Sequence, residues 1–325
     1  MILILSTPND DDTNIVMEHL TMLGEKFIRI NDLDLFNGNT KMYYELSPEP
    51  KLFVENIFFG RISLSDIQCV WYRKFGFFDK FKKKFRGETN VEMLEYLKLE
   101  YTTTLDLFFD FLKDKKWLNN YLKVKNLSKI STLIASQKIG LKIPQTHITN
   151  HKNSLNLNES YITKSIKDGT VIDVGEKTFF FLTKEINPKI MARYDHFFPS
   201  LFQEKINKEY ELRIFHLNGK NYPMAIFSQR DRQTGVDYRH YNYSKPNRMI
   251  PYTLPEEIDE KICRLMKDLG LDTGSLDIIK GTDGEYYFLE VNPSGQFRMT
   301  ALPCNYNLHY EVACTLKKMN TWKKH

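Results

Sequence analysis

The segment from Ser275 to Gln296 constrains this chain more than any other, because it reads as two strands joined by a turn, with one oily and one acidic face. Asp283-Gly284 predicts a two-residue hairpin, since a type I′ turn needs positive φ at both central positions and this dipeptide tolerates that. If Thr282 pairs with Glu285, Leu276 falls opposite Val291 and Ile278 opposite Leu289 on one face, with Asp277 opposite Glu290 on the other. Strand side chains alternate with period two, so Asn292 joins Glu290 and Asp277. Two carboxylates facing each other across strands repel unless a cation lies between them. Hard oxygen donors without His or Cys suit Mg²⁺, which takes one or two protein carboxylates and completes its octahedron with water and nucleotide phosphates. The competing reading, an exposed hairpin with a polar face, loses weight against the Asn292-Pro293 ending and Gly295.

At 325 residues the chain exceeds one core of usual size, which predicts two or three subdomains. With 42% hydrophobic and 27% charged residues it reads as a soluble globular protein. The net charge of +5 includes a run from Lys80 to Arg86, read as a solvated face. No zinc, helix-turn-helix or RNP-type signature accompanies the charge, so no nucleic-acid role is expected. Cys69, Cys263, Cys304 and Cys314 lie far apart and form no Cys-x-x-Cys pair, as expected of reduced thiols in a cytoplasmic protein. Met1 to Leu5 is too short for a signal segment and runs into Asp10-Asp11-Asp12; it reads as a first strand, and no later segment is long enough to span a membrane.

The chain then follows an α/β pattern. Strand Ile2–Leu5, a helix capped by Asp12-Thr13 and stopped by Gly24, and strand Phe27–Ile30 form a βαβ opening. It lacks a glycine fingerprint for a dinucleotide. Short strands are expected around Tyr43–Leu46, Leu52–Val54 and Ile67–Tyr72, then a helix over 90–113 with Leu94, Leu97, Tyr101, Leu105, Phe108 and Phe109 as its core face. From Trp117 the character changes. Ser128 caps a helix that Gly140 and Pro144 end; Ser160–Lys164 is a strand carrying a lysine out of its end into a loop with Gly169 and Gly175, suited to folding amides over a polyphosphate. Leu201–Ile206 and Glu209–Leu217 are strands, the second ending in an Asn218-Gly219 hairpin. Arg213 lies two residues beyond Glu211, on the same strand face. No Gly-x-x-x-x-Gly-Lys-Ser/Thr occurs, which excludes a P-loop.

An Asp followed about a dozen residues later by Glu-x-Asn-Pro resembles the metal-binding end of the ATP-grasp superfamily. The order of motifs resembles, more narrowly, the ATP-grasp ribosomal peptide maturases, the graspetide synthetases of microviridin and grasp-with-spasm type. The pieces are Asp-x-Asp-Thr-Asn-Ile-Val after the first strand, Val70-Trp71-Tyr72-Arg73-Lys74, Asn126-x-x-Lys129, Gln203-Glu204, Glu211-Leu-Arg213, Asp237-Tyr-Arg239 and Leu289-Glu-Val-Asn-Pro-Ser-Gly-Gln-Phe297. Asp12, His19 and Lys74 depart from the Ser, Trp and Arg of that pattern, all in the N-terminal part.

The resemblance implies an ATP-grasp fold, α/β and in part α+β, with a pre-ATP-grasp βαβ domain over 1–118 and two α+β subdomains, 119–200 and 201–325, clamping ATP. It implies that Lys129 and Lys164 hold the phosphates, Gln203, Glu204 and Ile206 form the adenine hinge, and Glu211 takes the ribose hydroxyls. Asp277, Glu290 and Asn292 would bind Mg²⁺, two ions in this reading, with Arg239 on the transferred phosphoryl group and Arg213 toward the phosphates or a substrate carboxylate. Arg193, Asp195 and His196 are candidates for gripping a leader peptide, against the reading of 191–199 as a connecting turn with a buried Phe197-Phe198 pair. The implied reaction is ATP-dependent macrocyclisation: Asp or Glu side chains of a precursor with a leader and a Thr/Glu-rich core become acyl phosphates and are joined to Thr or Ser hydroxyls, or Lys amines. A RimK-like ligase that adds an amino acid to a protein or small acid would share every nucleotide residue. A non-catalytic nucleotide-binding protein is a third reading, and a homodimer is left open.

Overall fold

The apolar run near the start of the chain forms β1 (Ile2–Ser6), whose five residues are all buried. A strand apolar on both faces belongs inside a parallel sheet covered on both sides. β1 lies between β2 (Phe27–Asn31) and β6 (Cys69–Tyr72), with β7 (Lys116–Leu118) beyond, every pairing parallel. These belong to a computed structural model that describes residues 1–75, 90–156, 158–166, 171–174, 177–180, 183–191, 193–229, 238 and 244–321. It has two compact units, Met1–Val124 with Asn307–His325, and Lys125–Tyr306.

In the first unit, helix α1 (Asp11–Met22) joins β1 to β2, and α2 (Asp34–Asn37) follows. An antiparallel sheet of β3 (Thr40–Glu45), β4 (Lys51–Asn56) and β5 (Gly60–Ser63) sends Leu52 and Val54 into the same core as Leu3, Leu5, Val70 and Tyr72. Helix α3 (Val91–Phe111) is capped by Asn90, whose side chain accepts from the Met93 N–H. Of its expected core face only Leu105, Phe108 and Phe109 are buried; Tyr101 packs at the core margin, and Leu94 and Leu97 are half-buried. The unit also takes in the last helix, read from the sequence as part of a C-terminal subdomain. That helix packs against α1 and β6, and the Cys69 thiol reaches the Leu316 carbonyl at 3.8 Å.

The start of α1 corrects the sequence reading. Asp10, not Asp12-Thr13, holds the N-cap position, with no side-chain cap bond. Asp10, Asp12 and Thr13 turn inward instead. Arg73, at the end of β6, places Nε 3.0 Å from Asp10 and Nη2 3.0 Å from Asp12. The Thr13 hydroxyl donates to Asp10 at 2.6 Å, Lys74 lies 3.4 Å from Asp10, and His309 Nε2 lies 2.9 Å from Asp12. The network caps the carboxyl ends of the parallel strands, where β1 has neighbours leading off in opposite directions.

The second unit opens with helix α4 (Tyr121–Lys125), whose last residue alone belongs to it, and α5 (Lys129–Lys138), which Ser128 and Ser131 close with reciprocal capping bonds. One sheet runs in the order β12 (Lys184–Glu185), β9 (Tyr161–Lys164), β13 (His196–Glu204), β8 (Thr146–His151). A separate pair, β10 (Val171–Val174) and β11 (Lys177–Phe180), and helix α6 (Pro188–Met191) interrupt it in sequence. The other sheet is antiparallel, in the order β16 (Arg248–Pro251), β15 (Lys220–Phe227), β14 (Lys208–Leu217), β17 (Thr273–Gly281), β18 (Tyr286–Asn292). Helix α7 (Glu256–Leu269) buries Ile262, Leu265 and Met266 and packs on β15 and α5. α8 (Arg298–Cys304) lies against β14, β15 and β16, and α9 (Leu308–Thr321) is the last helix of the first unit. Among the described residues no helix is long and apolar enough to cross a membrane. All four cysteines are free, Cys69 and Cys304 buried and Cys263 and Cys314 half-buried.

Candidate active site

The hairpin that dominates the sequence is present, built differently from the expected turn. The Gly281 N–H donates to the Glu285 carbonyl at 2.9 Å, and the Gly284 N–H donates to the Gly281 carbonyl at 3.0 Å. The loop therefore has three residues, and only Gly284, at φ +85°, takes the left-handed conformation. A three-residue loop ending in such a residue is the type I turn with a bulge, rather than a type I′ turn. The extra residue slips the register, so that Ile278 faces Phe288 instead of Leu289. A β-bulge between Asp277 and Ile278 then restores it, and Asp277 faces Glu290 as the sequence predicts. Two departures cancel where it matters.

The bulge also re-aims a side chain. Leu289 leaves the apolar face occupied by Leu276, Ile278, Phe288 and Val291 and lines a cavity together with Glu290. This cavity, of about 380 Å³, falls in the range of ligand pockets. On one side stand Ile162 and Lys164 of β9 with Gln203, Glu204 and Ile206, the stretch expected to form a hinge; on the other stand Glu211, Asp277, Ile279, Leu289 and Glu290. Predicted residues from four separate stretches of sequence thus line one space.

Its charges are paired within the protein. Arg213 Nη1 lies 2.8 and 2.7 Å from the two oxygens of Asp277. Burial opposes the Arg213 charge, but Asp277, Tyr238 and Glu290 more than offset it and hold the guanidinium above the ordinary arginine value. Lys129, in the first turn of α5 and buried, reaches Glu290 at 3.3 Å and the Ser165 carbonyl at 3.1 Å. Glu211 accepts from Lys208 and from the Ser228 hydroxyl, both at 2.7 Å and both on Oε1. Burial pushes its pKa up, with Lys208 and Ser228 pulling against that.

Asn292 pairs with Ser275 across the strands, but it does not line the cavity; its Oδ1 accepts the Ser294 N–H at 3.0 Å and turns the chain. Gly295 then passes so close to the sheet that a Cβ there would lie 2.6 Å from Ser275 Oγ and 3.1 Å from Arg213 Nη2. Beneath it, Ser275 Oγ and Arg213 Nε are buried with no hydrogen-bond partner among the described residues. Gln203 is fully buried, donates to Thr146 Oγ1 at 2.9 Å, and has an Oε1 with no partner among the described residues.

Arg193, Asp195 and His196 are exposed and are not among the cavity residues; Asp195 pairs with Lys152 at 2.6 Å. Phe197 packs with Phe202, whereas Phe198 is 85% exposed, so the expected buried Phe197-Phe198 pair is not formed. Arg239, with Asp237 and His240, lies outside the described residues, as do Gly169 and Gly175 of the loop and the Lys80–Arg86 run. The sequence reading missed Lys208 and Tyr238. Tyr238 is buried, lines the cavity and stands 3.5 Å from Asp277. Lys208 carried no signal, because residues three apart on a regular strand point to opposite faces. A bulge between Lys208 and Tyr210 changes that parity and brings Lys208 onto the side of Glu211.

Two sheets of the second unit that line one cavity, with Lys164 on one and the Asp277–Glu290 rung on the other, form an ATP-grasp fold, and comparison with known structures and families agrees. Residues 1–125 match the family model of the MvdD pre-ATP grasp domain. A RiPP-associated ATP-grasp ligase from Chryseobacterium gregarium, solved with ADP and a leader and core peptide, superposes with a TM-score of 0.81 at 25% identity, over 98% of this chain and 96% of that one. The macrocyclase MdnC from Microcystis aeruginosa MRC, bound with precursor peptide MdnA, gives 0.82 at 22% identity over 98% and 100% of the two chains. The ATP-grasp ligase PsnB, complexed with minimal precursor, Mg and ADP, gives 0.77 at 17% identity over 98% and 97%. Among curated proteins no sequence matches the chain.

Proposed function

We propose that this chain is an ATP-dependent macrocyclase of ribosomal peptides. It activates Asp or Glu side chains of a precursor as acyl phosphates and joins them to Thr or Ser hydroxyls, or Lys amines, as ester or amide crosslinks. The observation that carries this reading is the Asp277–Glu290 rung opening on the same cavity as Lys164, Glu211 and the 203–206 hinge. It gains weight from the likeness, along 98% of the chain, to a ligase solved with ADP and a leader and core peptide.

The residues fit ATP and magnesium. Among the described residues no three His, Cys, Asp or Glu side chains cluster as a metal site, but Mg²⁺ needs only one or two protein carboxylates beside nucleotide phosphates. Asp277 and Glu290 supply them, with Asn292 as a third oxygen donor and two ions in our reading. Magnesium held there would neutralise charge on the phosphates. Lys129 and Lys164 would hold the phosphates, Gln203, Glu204 and Ile206 the adenine, and Glu211 the ribose. We read 119–200 and the part of 201–325 that lies in the second unit as the subdomains that hold ATP between them.

A carboxylate is a poor electrophile because its charge is delocalised and hydroxide leaves badly. Its oxygen takes the γ-phosphoryl group, the bond to the β-phosphate oxygen breaks, and ADP departs. A hydroxyl or amine of the same peptide then attacks the acyl carbon, phosphate leaves and one proton is released. Arg213 would clamp the reacting carboxylate and Arg239 would steady the moving phosphoryl group, so that positioning and charge do most of the work. For the leader, Arg193, Asp195 and His196 lie beside Ile190, Tyr194 and Phe198, apolar side chains that are 53%, 58% and 85% exposed. Such a neighbourhood suits an amphipathic peptide.

The test is incubation of the full chain with ATP, Mg²⁺ and a precursor encoded beside it, a short peptide with repeated Thr and Glu. Mass spectrometry should find one water lost per ring and ADP formed in step. Addition of free amino acids instead would establish the RimK-like reading, and nucleotide binding without turnover toward any acceptor would establish a non-catalytic protein.

A further inference from the structure

We propose that Lys208 is a positioning residue that makes the cavity selective for ribonucleotides, by holding Glu211 as a charged acceptor for the ribose hydroxyls. This rests on the reading of Glu211 as the ribose residue and adds the device that makes it work. Lys208 and Glu211 have side chains only 6% and 9% exposed, at 2.7 Å, so neither charge is solvated by bulk water. A carboxylate buried to this degree loses its charge unless a partner holds it. Burial raises the Glu211 pKa and Lys208 is the largest influence acting against it.

The local backbone supports a built pair rather than a chance one. Without the bulge between Lys208 and Tyr210, the lysine would point away from Glu211, and bulges recur where a strand must re-aim one side chain at a site. Both residues line the cavity, and Lys208 and Ser228 both donate to Oε1. Two donors on one oxygen fix the carboxylate's rotation, which an acceptor for two neighbouring hydroxyls requires.

The experiment is calorimetric binding of ATP and of 2′,3′-dideoxy-ATP to the full chain, with Mg²⁺ and without peptide. In the native protein, deleting the hydroxyls should weaken binding roughly tenfold, the scale of a hydrogen bond to a charged group. Lys208→Met should weaken ATP by the same factor, leave dideoxy-ATP unchanged and bring the ratio of the two toward one; Lys208→Arg should keep the native ratio. Lys208→Gln, one atom shorter and uncharged but still a donor, serves if the Met variant does not fold, and should also lower the ratio. Equal weakening of both nucleotides, or no weakening of ATP, overturns the inference. Glu211→Gln separates the layers: a native ratio in that variant overturns the ribose reading itself, whereas a lost ratio there beside a native ratio in Lys208→Met overturns only the role of Lys208.

Discussion

Each unit contains an arginine buried against aspartate, and the two are finished differently. In the first, Arg73, Asp10 and Asp12 are 3%, 2% and 2% exposed, and Thr13, Lys74 and His309 add contacts until the carboxylates are surrounded by donors. Burial opposes the Asp10 charge, yet Arg73, Thr13 and Lys74 outweigh it and hold the carboxyl below its usual value. In the second, Arg213 grips Asp277 while its own Nε and the neighbouring Ser275 hydroxyl are buried without a partner among the described residues. Nearby Glu211 is shifted the other way, upward, by burial. A buried ion pair therefore says little about function by itself. What separates the two is whether the surrounding donors exceed the desolvation and whether the group faces a cavity.

The comparison predicts that damage to the first network is read in stability and damage to the second in turnover. Arg73→Met leaves Asp10 and Asp12 buried without their main partner and should cost about 3–5 kcal/mol in denaturant unfolding. Nucleotide affinity of the protein that remains folded should be native. Loss of ATP binding at native stability would erase the distinction. Glu290→Gln should act in the opposite sense. Its side chain is 19% exposed and its partner Lys129 keeps the Ser165 carbonyl, so stability should fall by only about 1 kcal/mol. Turnover should drop roughly a hundredfold, within the several kcal/mol that a metal-held phosphoryl group contributes.

The pairing of Asp277 with Glu290 was legible by counting outward from an assumed two-residue turn, and the count held because the three-residue loop and the bulge shift the register by one residue in opposite directions. The turn was not, since Asp-Gly serves type I′ and bulged type I hairpins alike, and which one forms depends on how the strands pack. The bulge opposite Ile278 had no local mark in Tyr286–Asn292; it is set by tertiary fit, where Phe288 fills the core and Leu289 is turned out. Lys208 was hidden for the same reason. Gly295 could be singled out from sequence, but only the fold shows that it lets the chain pass over Ser275 and Arg213. The first helix illustrates a different limit: Asp10-Asp11-Asp12 offers three capping residues, and a distant arginine at position 73, not local propensity, decides that two of them turn inward.

The smallest expected effect sharpens the comparison through its sign. Asp10 has a folded pKa lowered from 3.8, so its ionisation contributes stability that is present above pH 3.8 and is lost as pH falls through the lowered value. Glu211 has a folded pKa raised from 4.5, so its contribution is present below pH 4.5 and is lost as pH rises through the raised value. One proton limits either slope to about 1.4 kcal/mol per pH unit. Unfolding measured as a function of pH should therefore show Asp10→Asn flattening the acid limb below pH 3.8. Glu211→Gln, whatever its constant offset from loss of the Lys208–Glu211 ion pair, should gain on the native protein as pH rises above 4.5. The two slopes have opposite sign because one carboxylate has more donors than its burial requires and the other has fewer. If both variants changed stability with the same slope, the pocket carboxylate would be as well satisfied as the structural one, and the distinction drawn between the two networks would have no physical basis.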